Sequence, residues 1–285
     1  MSITIRDLQA FKAEARRFAM LTAYDYPTAQ IIDEAGVPVI LVGDSIANNV
    51  LGYPDTLPVT MDEMLHHARA VRRGVTNALV VGDMPFMSYQ VSVEEGMRNA
   101  GRFLKEAGAN AVKLEGPELE LTSRLSAAGI PVMAHVGLTP QSVNQMGGYR
   151  VQGKTEAAAD RIEHECVALQ RAGAFAIVLE GIPADLGRHL TGLLAIPTIG
   201  IGAGAQCDGQ VLVFHDMIGL NARTPKFVKQ YAQLRTEISR AVGEFIADVQ
   251  SGAFPDEAHS YGGGKVYGGG AIEEPAPPGP AEVGG

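Results

Sequence analysis

Ala78-Leu-Val-Val-Gly-Asp83 and Ala111-Val-Lys-Leu-Glu115 are short runs closed by an acid, separated by an amphipathic stretch long enough for a helix. The first is unbroken and rich in β-branched residues, as a strand buried on both faces must be. On either side of this pair, which spans 78–82 and 111–114, similar runs fall at 18–22, 38–43, 131–135, 175–179, 196–201 and 210–214. Between them, helices are predicted over 28–35, 61–74, 92–108, 117–128, 154–172, 184–193 and 224–250, several opening on Thr, Ser or Pro and ending at Gly. Strand and helix alternating eight times predicts a closed (β/α)₈ TIM barrel, an α/β fold of one domain. Right-handed crossovers then bring all eight C-terminal strand ends to one face, where barrel chemistry sits.

The bulk numbers agree. A chain of 285 residues that is 46% hydrophobic can bury a full-sized core. Its formal net charge of −9 argues against a nucleic-acid partner, whose phosphates call for a basic patch. The start, Met1-Ser-Ile-Thr-Ile-Arg-Asp, has no signal-peptide pattern, and no run approaches the roughly 20 apolar residues that span a bilayer, so the expectation is a cytoplasmic protein with no membrane partner. Cys166 and Cys207 are too few for a disulfide framework and read as free thiols. The catalytic domain is expected over 1–261, followed by a Gly/Pro-rich, disordered tail over 262–285.

The polar residues at the ends of the apolar runs are informative. Asp44 and Ser45 come after the second run, Asp83 after the third, Lys113 and Glu115 end the fourth, His135 the fifth, and Glu180 comes after the sixth. Each acid taken alone could be a helix cap or a solvated loop residue, but their succession at one barrel mouth favours a shared site. Converging acids are costly unless compensated, and suggest a hard, oxygen-liganded cation such as Mg²⁺, gripped by Asp44 and Asp83 with Glu115 as third ligand or through water. Lys113 is then left for an anionic substrate group; a Schiff-base role and a structural ion pair with Glu115, on the same strand face, are the alternatives. Glu180 ends a strongly apolar run, where partial burial would raise its pKa and suit it to proton abstraction, with His135 as an alternative base, a hydrogen-bond donor or a structural histidine.

Other features carry less. Gly200-Ile-Gly-Ala-Gly-Ala has the spacing of a dinucleotide fingerprint but leads back into a strand, so that reading is rejected. His66, His67 and His164-Glu165-Cys166 fall on predicted helices without a second cluster at ligand spacing and read as solvated faces. The connections after the second and fifth strands are long enough to contact substrate or act as lids.

From about residue 3 to Tyr261 the sequence closely resembles the ketopantoate (3-methyl-2-oxobutanoate) hydroxymethyltransferase family. The carriers, in order, are Leu21-Thr-Ala-Tyr-Asp-Tyr, Ile40-Leu-Val-Gly-Asp-Ser, Thr56-Leu-Pro-Val-Thr, Gly82-Asp-Met-Pro-Phe-Met-Ser-Tyr, Val112-Lys-Leu-Glu-Gly, His135-Val-Gly-Leu-Thr-Pro-Gln-Ser-Val-Asn, Gly147-Gly-Tyr-Arg-Val-Gln-Gly-Lys, Leu179-Glu, Thr198-Ile-Gly-Ile-Gly-Ala-Gly and Cys207-Asp-Gly-Gln-Val-Leu-Val. The resemblance implies metal on Asp44, Asp83 and Glu115, 2-oxo acid contacts on Ser45, Asp83 and Lys113, and a proton acceptor at Glu180; Asp44 and His135 are counted with the substrate-binding candidates. It implies that Mg²⁺ chelates 3-methyl-2-oxobutanoate and stabilises its enolate, which attacks the one-carbon unit of 5,10-methylenetetrahydrofolate to give 2-dehydropantoate and tetrahydrofolate in pantothenate biosynthesis. A homo-oligomer, a decamer in that family, is implied as well. Ile46-Ala-Asn-Asn-Val departs from the family's more apolar, glycine-containing stretch, and the tail is longer than usual.

Two rivals accompany this reading. A barrel lyase resembling isocitrate lyase or phosphoenolpyruvate mutase would also hold Mg²⁺ and a 2-oxo acid enolate, but no Lys-Lys-Cys-Gly-His type loop is found. A non-catalytic metabolite-binding barrel is the other, against which Asp44, Asp83, Lys113, Glu115 and Glu180 together argue.

Overall fold

The computed structural model describes residues 2–262, so of the expected tail over 262–285 only Gly262 lies within the described residues. By contacts the chain divides into two compact units, one ending at Arg235 and the other beginning at Thr236.

The first unit is the expected barrel, with parallel strands closing in the order β1-β2-β3-β4-β5-β6-β7-β8. Its elements are α1 (Ile5–Ala13), β1 (Phe18–Thr22), α2 (Tyr26–Glu34), β2 (Val39–Val42), α3 (Ile46–Asn49), α4 (Met61–Gly74), β3 (Leu79–Asp83), α5 (Val93–Ala107), β4 (Ala111–Glu115), α6 (Leu119–Ala127), β5 (Val132–Gly137), a 3₁₀ turn (Pro140–Ser142), α7 (Val143–Met146), α8 (Glu156–Arg171), β6 (Ala176–Glu180), α9 (Ala184–Leu193), β7 (Thr198–Ile201), β8 (Gly209–Leu212) and α10 (Phe214–Met217). A longer helix, α11 (Leu234–Ser251), comes after them.

The alternation of side chains along each strand sorts the core. Val39, Leu41, Leu79, Val81, Ala111, Met133, Ala176 and Val178 belong to one buried cluster inside the barrel, which Leu8 and Phe11 of α1 join. The intervening residues Val80, Val112, Leu114 and Val132 pack outward with α2, α4, α5 and α6, and Ala134, Val136, Ile177 and Leu179 with α8 and α9. Each fully buried valine, leucine, isoleucine or methionine among them contributes about 1.5–3 kcal/mol. Gly82 faces outward, where a Cβ would collide with the Phe103 ring, so glycine lets α5 close on β3.

This parity also positions the site. Two residues on from Val81 comes Asp83, two and four on from Ala111 come Lys113 and Glu115, and His135 and Glu180 continue the series from Met133 and Val178. The register sets Asp83 beside Lys113 and Glu115 beside His135. Local signals hold the helices between them. Thr60 Oγ1 accepts from Glu63 N–H while the Glu63 carboxylate accepts from Thr60 N–H at 2.7 Å, fixing the start of α4. At the opposite end of the barrel, the buried Asp33 carboxylate accepts from the backbone N–H groups of Thr76, Asn77 and Ala78 ahead of β3.

The strand expectations hold to within about two residues, while the helices differ at α1, at the short α3, α7 and α10, and at the start of α11. α1 went unexpected, although Asp7 caps Thr4 N–H at 2.8 Å and Leu8 and Phe11 have helical spacing. The helix expected from 224 begins only at Leu234, because the Tyr231 and Leu234 N–H groups donate to Met217 and Ile218 carbonyls and are not free for a helical ladder. The glycine-rich segment after β7 runs back into β8, as expected.

Candidate active site

Six of the seven residues singled out in the sequence form one connected group at the C-terminal ends of β2 to β6. Lys113 Nζ donates to both Asp83 oxygens, at 2.6 and 2.8 Å, and lies 3.7 Å from Glu115 Oε1. The ion pair with Glu115, an alternative role for Lys113, is thus the longer of its two. Asp83 Oδ2 also accepts from Asp44 N–H at 3.2 Å, tying the ends of β2 and β3. His135 stands between two acids, with Nδ1 3.5 Å from Glu115 Oε1 and Nε2 3.3 Å from Glu180 Oε2. These are charge contacts, since neither nitrogen has the alignment of a hydrogen bond. Ser45 stands beside the group, its hydroxyl 2.8 Å from the buried Tyr24 hydroxyl.

Burial makes these charges consequential. Asp44, Asp83, Lys113, Glu115 and His135 are all buried, whereas the Glu180 side chain is 16% exposed and is the acid that opens to the mouth. Desolvation, then repulsion from Asp83 and Glu115, pushes the Asp44 carboxyl well above the usual range. Burial likewise raises Asp83, with Lys113 offsetting part of the rise. Glu115 goes the other way: burial opposes its charge, but His135, Lys113 and the Gln141 N–H outweigh it and hold the carboxyl low. Burial and Lys113 work against a charged His135, yet Glu115 and Glu180 prevail and lift it to about 9. For Lys113, burial is overcome by Asp83, Glu115 and Asp44, and the ammonium is retained.

Two residues to which sequence reasoning assigned no role complete the arrangement. Gln141, buried in the connection after β5, donates from Nε2 to Asp44 Oδ2 and to the Met84 carbonyl, both at 2.9 Å, and from its backbone N–H to Glu115 Oε2 at 2.9 Å. Tyr89 donates to Gln141 Oε1 at 2.7 Å and accepts from Glu115 N–H at 3.1 Å. Both lie in quoted motifs, but no spacing rule connects positions 44 and 141, and only the closed barrel brings them together.

The donor set suits a hard divalent cation in its chemistry. Asp44, Asp83 and Glu115 offer carboxylate oxygens against the single ammonium of Lys113, and burial together with their mutual repulsion pushes the Asp44 carboxyl up. The ligands are not gathered in advance, however: among the described residues no three His, Cys, Asp or Glu side chains are grouped closely enough to hold one ion. Asp83 is engaged by Lys113, and Glu115 by Gln141 and His135.

His66 and His67 lie on α4, where His67 Nδ1 is 2.7 Å from the Tyr24 carbonyl oxygen, and His164 lies on α8. Cys166 and Cys207 are free and buried. No helix among the described residues is long and apolar enough to cross a membrane.

Comparison with known proteins gives a consistent set of likenesses. The model of the family described as ketopantoate hydroxymethyltransferase matches residues 2–257. The chain is 58% identical over 262 residues to the 3-methyl-2-oxobutanoate hydroxymethyltransferase of Syntrophus aciditrophicus, covering 91% of this chain and 96% of the relative. It is 54% identical to the enzyme of that name from Geobacter sulfurreducens, covering 90% and 98%. Among solved structures, phosphonopyruvate hydrolase aligns with a TM-score of 0.61 over 92% of each chain at 14% identity. A 2,3-dimethylmalate lyase of the PEP mutase/isocitrate lyase superfamily aligns with a TM-score of 0.59 at 16% identity, over 91% of this chain and 89% of that one. At such identities the likeness is one of fold alone.

Proposed function

The chain belongs to the ketopantoate hydroxymethyltransferase family and is a transferase, and from that premise we propose that it moves a one-carbon unit from 5,10-methylenetetrahydrofolate to C3 of 3-methyl-2-oxobutanoate. With one water the products are 2-dehydropantoate and tetrahydrofolate, the former an intermediate of pantothenate biosynthesis. The observation that carries the reading is the buried group of Asp44, Asp83, Lys113 and Glu115 set beside the His135–Glu180 contact at the barrel mouth.

In this reading Asp44 and Asp83 would hold Mg²⁺, with Glu115 as third ligand, directly or through water. A cation held there would supply Lewis acidity that favours enolisation of the 2-oxo acid at C3. Lys113, fixed by both Asp83 oxygens, presents a charged ammonium to the substrate carboxylate. Ser45, held by Tyr24, offers its hydroxyl to a substrate oxygen. Glu180 takes the C3 proton, and His135, 3.3 Å from its carboxylate, orients it toward the mouth. The resulting enolate bonds to the methylene carbon of the folate as its bond to one folate nitrogen breaks, and water then replaces the other nitrogen, releasing 2-dehydropantoate and tetrahydrofolate.

A homo-oligomer in the cytoplasm, a decamer as in the family, belongs to the same proposal. Ala19 on β1 and Gln210 on β8 are exposed on the outer wall, whereas outward positions on β2 to β6 are buried. Separately, α11 exposes Ile238, Val242, Phe245, Ile246 and Val249, apolar surface of the kind that a second copy covers.

The test is formation of 2-dehydropantoate from the two substrates, followed by NMR with Mg²⁺ and with a chelator. Product that depends on the cation is expected. Product undiminished by chelation would overturn the metal role, and no product under either condition would overturn the reaction.

A further inference from the structure

Among the groups that touch the proposed site, Gln141 is the most completely engaged. Both Nε2 protons have acceptors, Asp44 Oδ2 and the Met84 carbonyl, and Oε1 accepts from Tyr89 Oη at 2.7 Å and from Gln90 Nε2 at 3.2 Å. Its backbone N–H is spent on Glu115 Oε2. A side-chain amide has four hydrogen-bonding positions, and here all four are filled. The amide can have only one orientation: Met84 offers only a carbonyl there, so the nitrogen must face it and therefore Asp44 as well.

One residue thus ties the ends of β2, β3 and β4 from the connection after β5. It holds one oxygen of Asp44 and one of Glu115, leaving Asp44 Oδ1 and Glu115 Oε1, the latter 3.7 Å from Lys113 Nζ and 3.5 Å from His135 Nδ1, as the oxygens it does not occupy. An amide does this without adding positive charge, which a lysine or arginine in its place would. Tyr89, 2% exposed, locks the amide from behind and binds Glu115 N–H with the same hydroxyl.

We infer that Gln141, backed by Tyr89, is a positioning residue that presents the Asp44 and Glu115 carboxylates to a divalent cation. The inference rests on the metal role proposed above. Partners that orient ligating carboxylates change cation affinity by about 10–100-fold when removed.

The experiment is calorimetric titration of the folded apoprotein with Mg²⁺ alone, and with Mn²⁺ followed by electron paramagnetic resonance, without either substrate. Gln141→Met keeps length and volume but removes the amide, and is expected to weaken cation binding about 10–100-fold. Tyr89→Phe, which removes a single hydroxyl, is expected to weaken it less. Because Tyr89 acts partly through Gln141, the double variant is expected to lose less than the product of the two single losses. Full cation affinity in folded Gln141→Met, or single losses that multiply completely, would overturn the inference. Asp44→Asn separates the two levels: if it abolishes binding while Gln141→Met leaves binding intact, only the positioning role fails. If Asp44→Asn also binds normally, or the unaltered protein binds no cation, the metal reading fails with it.

Discussion

Replacing Lys113 with methionine removes a buried ammonium and keeps most of the side chain's bulk. Nζ lies 2.6 Å from Asp83 Oδ1, and the two side chains are only 5% and 2% exposed, so solvent screening does little for the charge left behind. Removing one partner of such a buried pair costs about 3–5 kcal/mol. The loss should depend on pH in a definite direction. The Asp83 carboxyl is already raised by burial and is held down in part by Lys113, so the variant raises it further. A group whose folded pKa lies above its unfolded value contributes stability that is present below the unfolded value and lost as pH rises through the folded one. The deficit should therefore be largest at alkaline pH and shrink on acidification, where Asp83 accepts a proton in the folded state. Urea unfolding of both proteins in chelator at pH 8 and pH 5 measures this. A deficit under about 1 kcal/mol at pH 8, against the 3–5 expected of a broken buried pair, would rule out an energetically coupled pair, and so would a deficit that grows toward pH 5.

Asp33→Ala removes the acceptor shared by the Thr76, Asn77 and Ala78 N–H groups and is expected to destabilise the fold by about 1–3 kcal/mol in urea unfolding at neutral pH. Those N–H groups outweigh burial and hold the Asp33 carboxyl low, so its contribution is present above the unfolded carboxyl value and vanishes as pH falls through the folded one; the variant and the parent should converge in acid. Burial pushes the Cys166 thiol up to about 12 and raises Cys207 as well, so a thiol reagent at pH 8 should label the native protein very slowly and both cysteines at once in urea. Rapid native labelling of Cys166 would contradict its placement in the core.

Fold and site were legible in the sequence to different depths. Unbroken apolar runs such as Leu79–Gly82 can be read directly, because a strand covered on both faces leaves a composition that no exposed element shares. The acids closing those runs were legible for the same reason: on a parallel barrel the parity that buries Val81 also turns Asp83 inward. Short helices such as α3 and α10 were not legible, being single turns fixed by what surrounds them. The late start of α11 was hidden because Thr224-Pro225 is a good helix-start signal, and only the tertiary bonds to Met217 and Ile218 override it. Pairing was also out of reach. Strand register sets Lys113 against Asp83 30 positions away, and the turn after β5 brings Gln141 to Asp44 at a distance of 97, partners that local sequence does not encode.

In the proposed reaction everything depends on the barrel mouth abstracting a proton from C3 of a 2-oxo acid, with Glu180 as the base. The decisive measurement is exchange of the C3 hydrogen of 3-methyl-2-oxobutanoate into deuterated water, monitored by NMR with Mg²⁺ and without folate, comparing the parent with Glu180→Gln. Exchange is expected in the parent and a loss of about 10²–10⁴-fold in the variant, with 2-oxo acid binding retained. Undiminished exchange in folded Glu180→Gln would contradict the assignment and move the base elsewhere, His135 first.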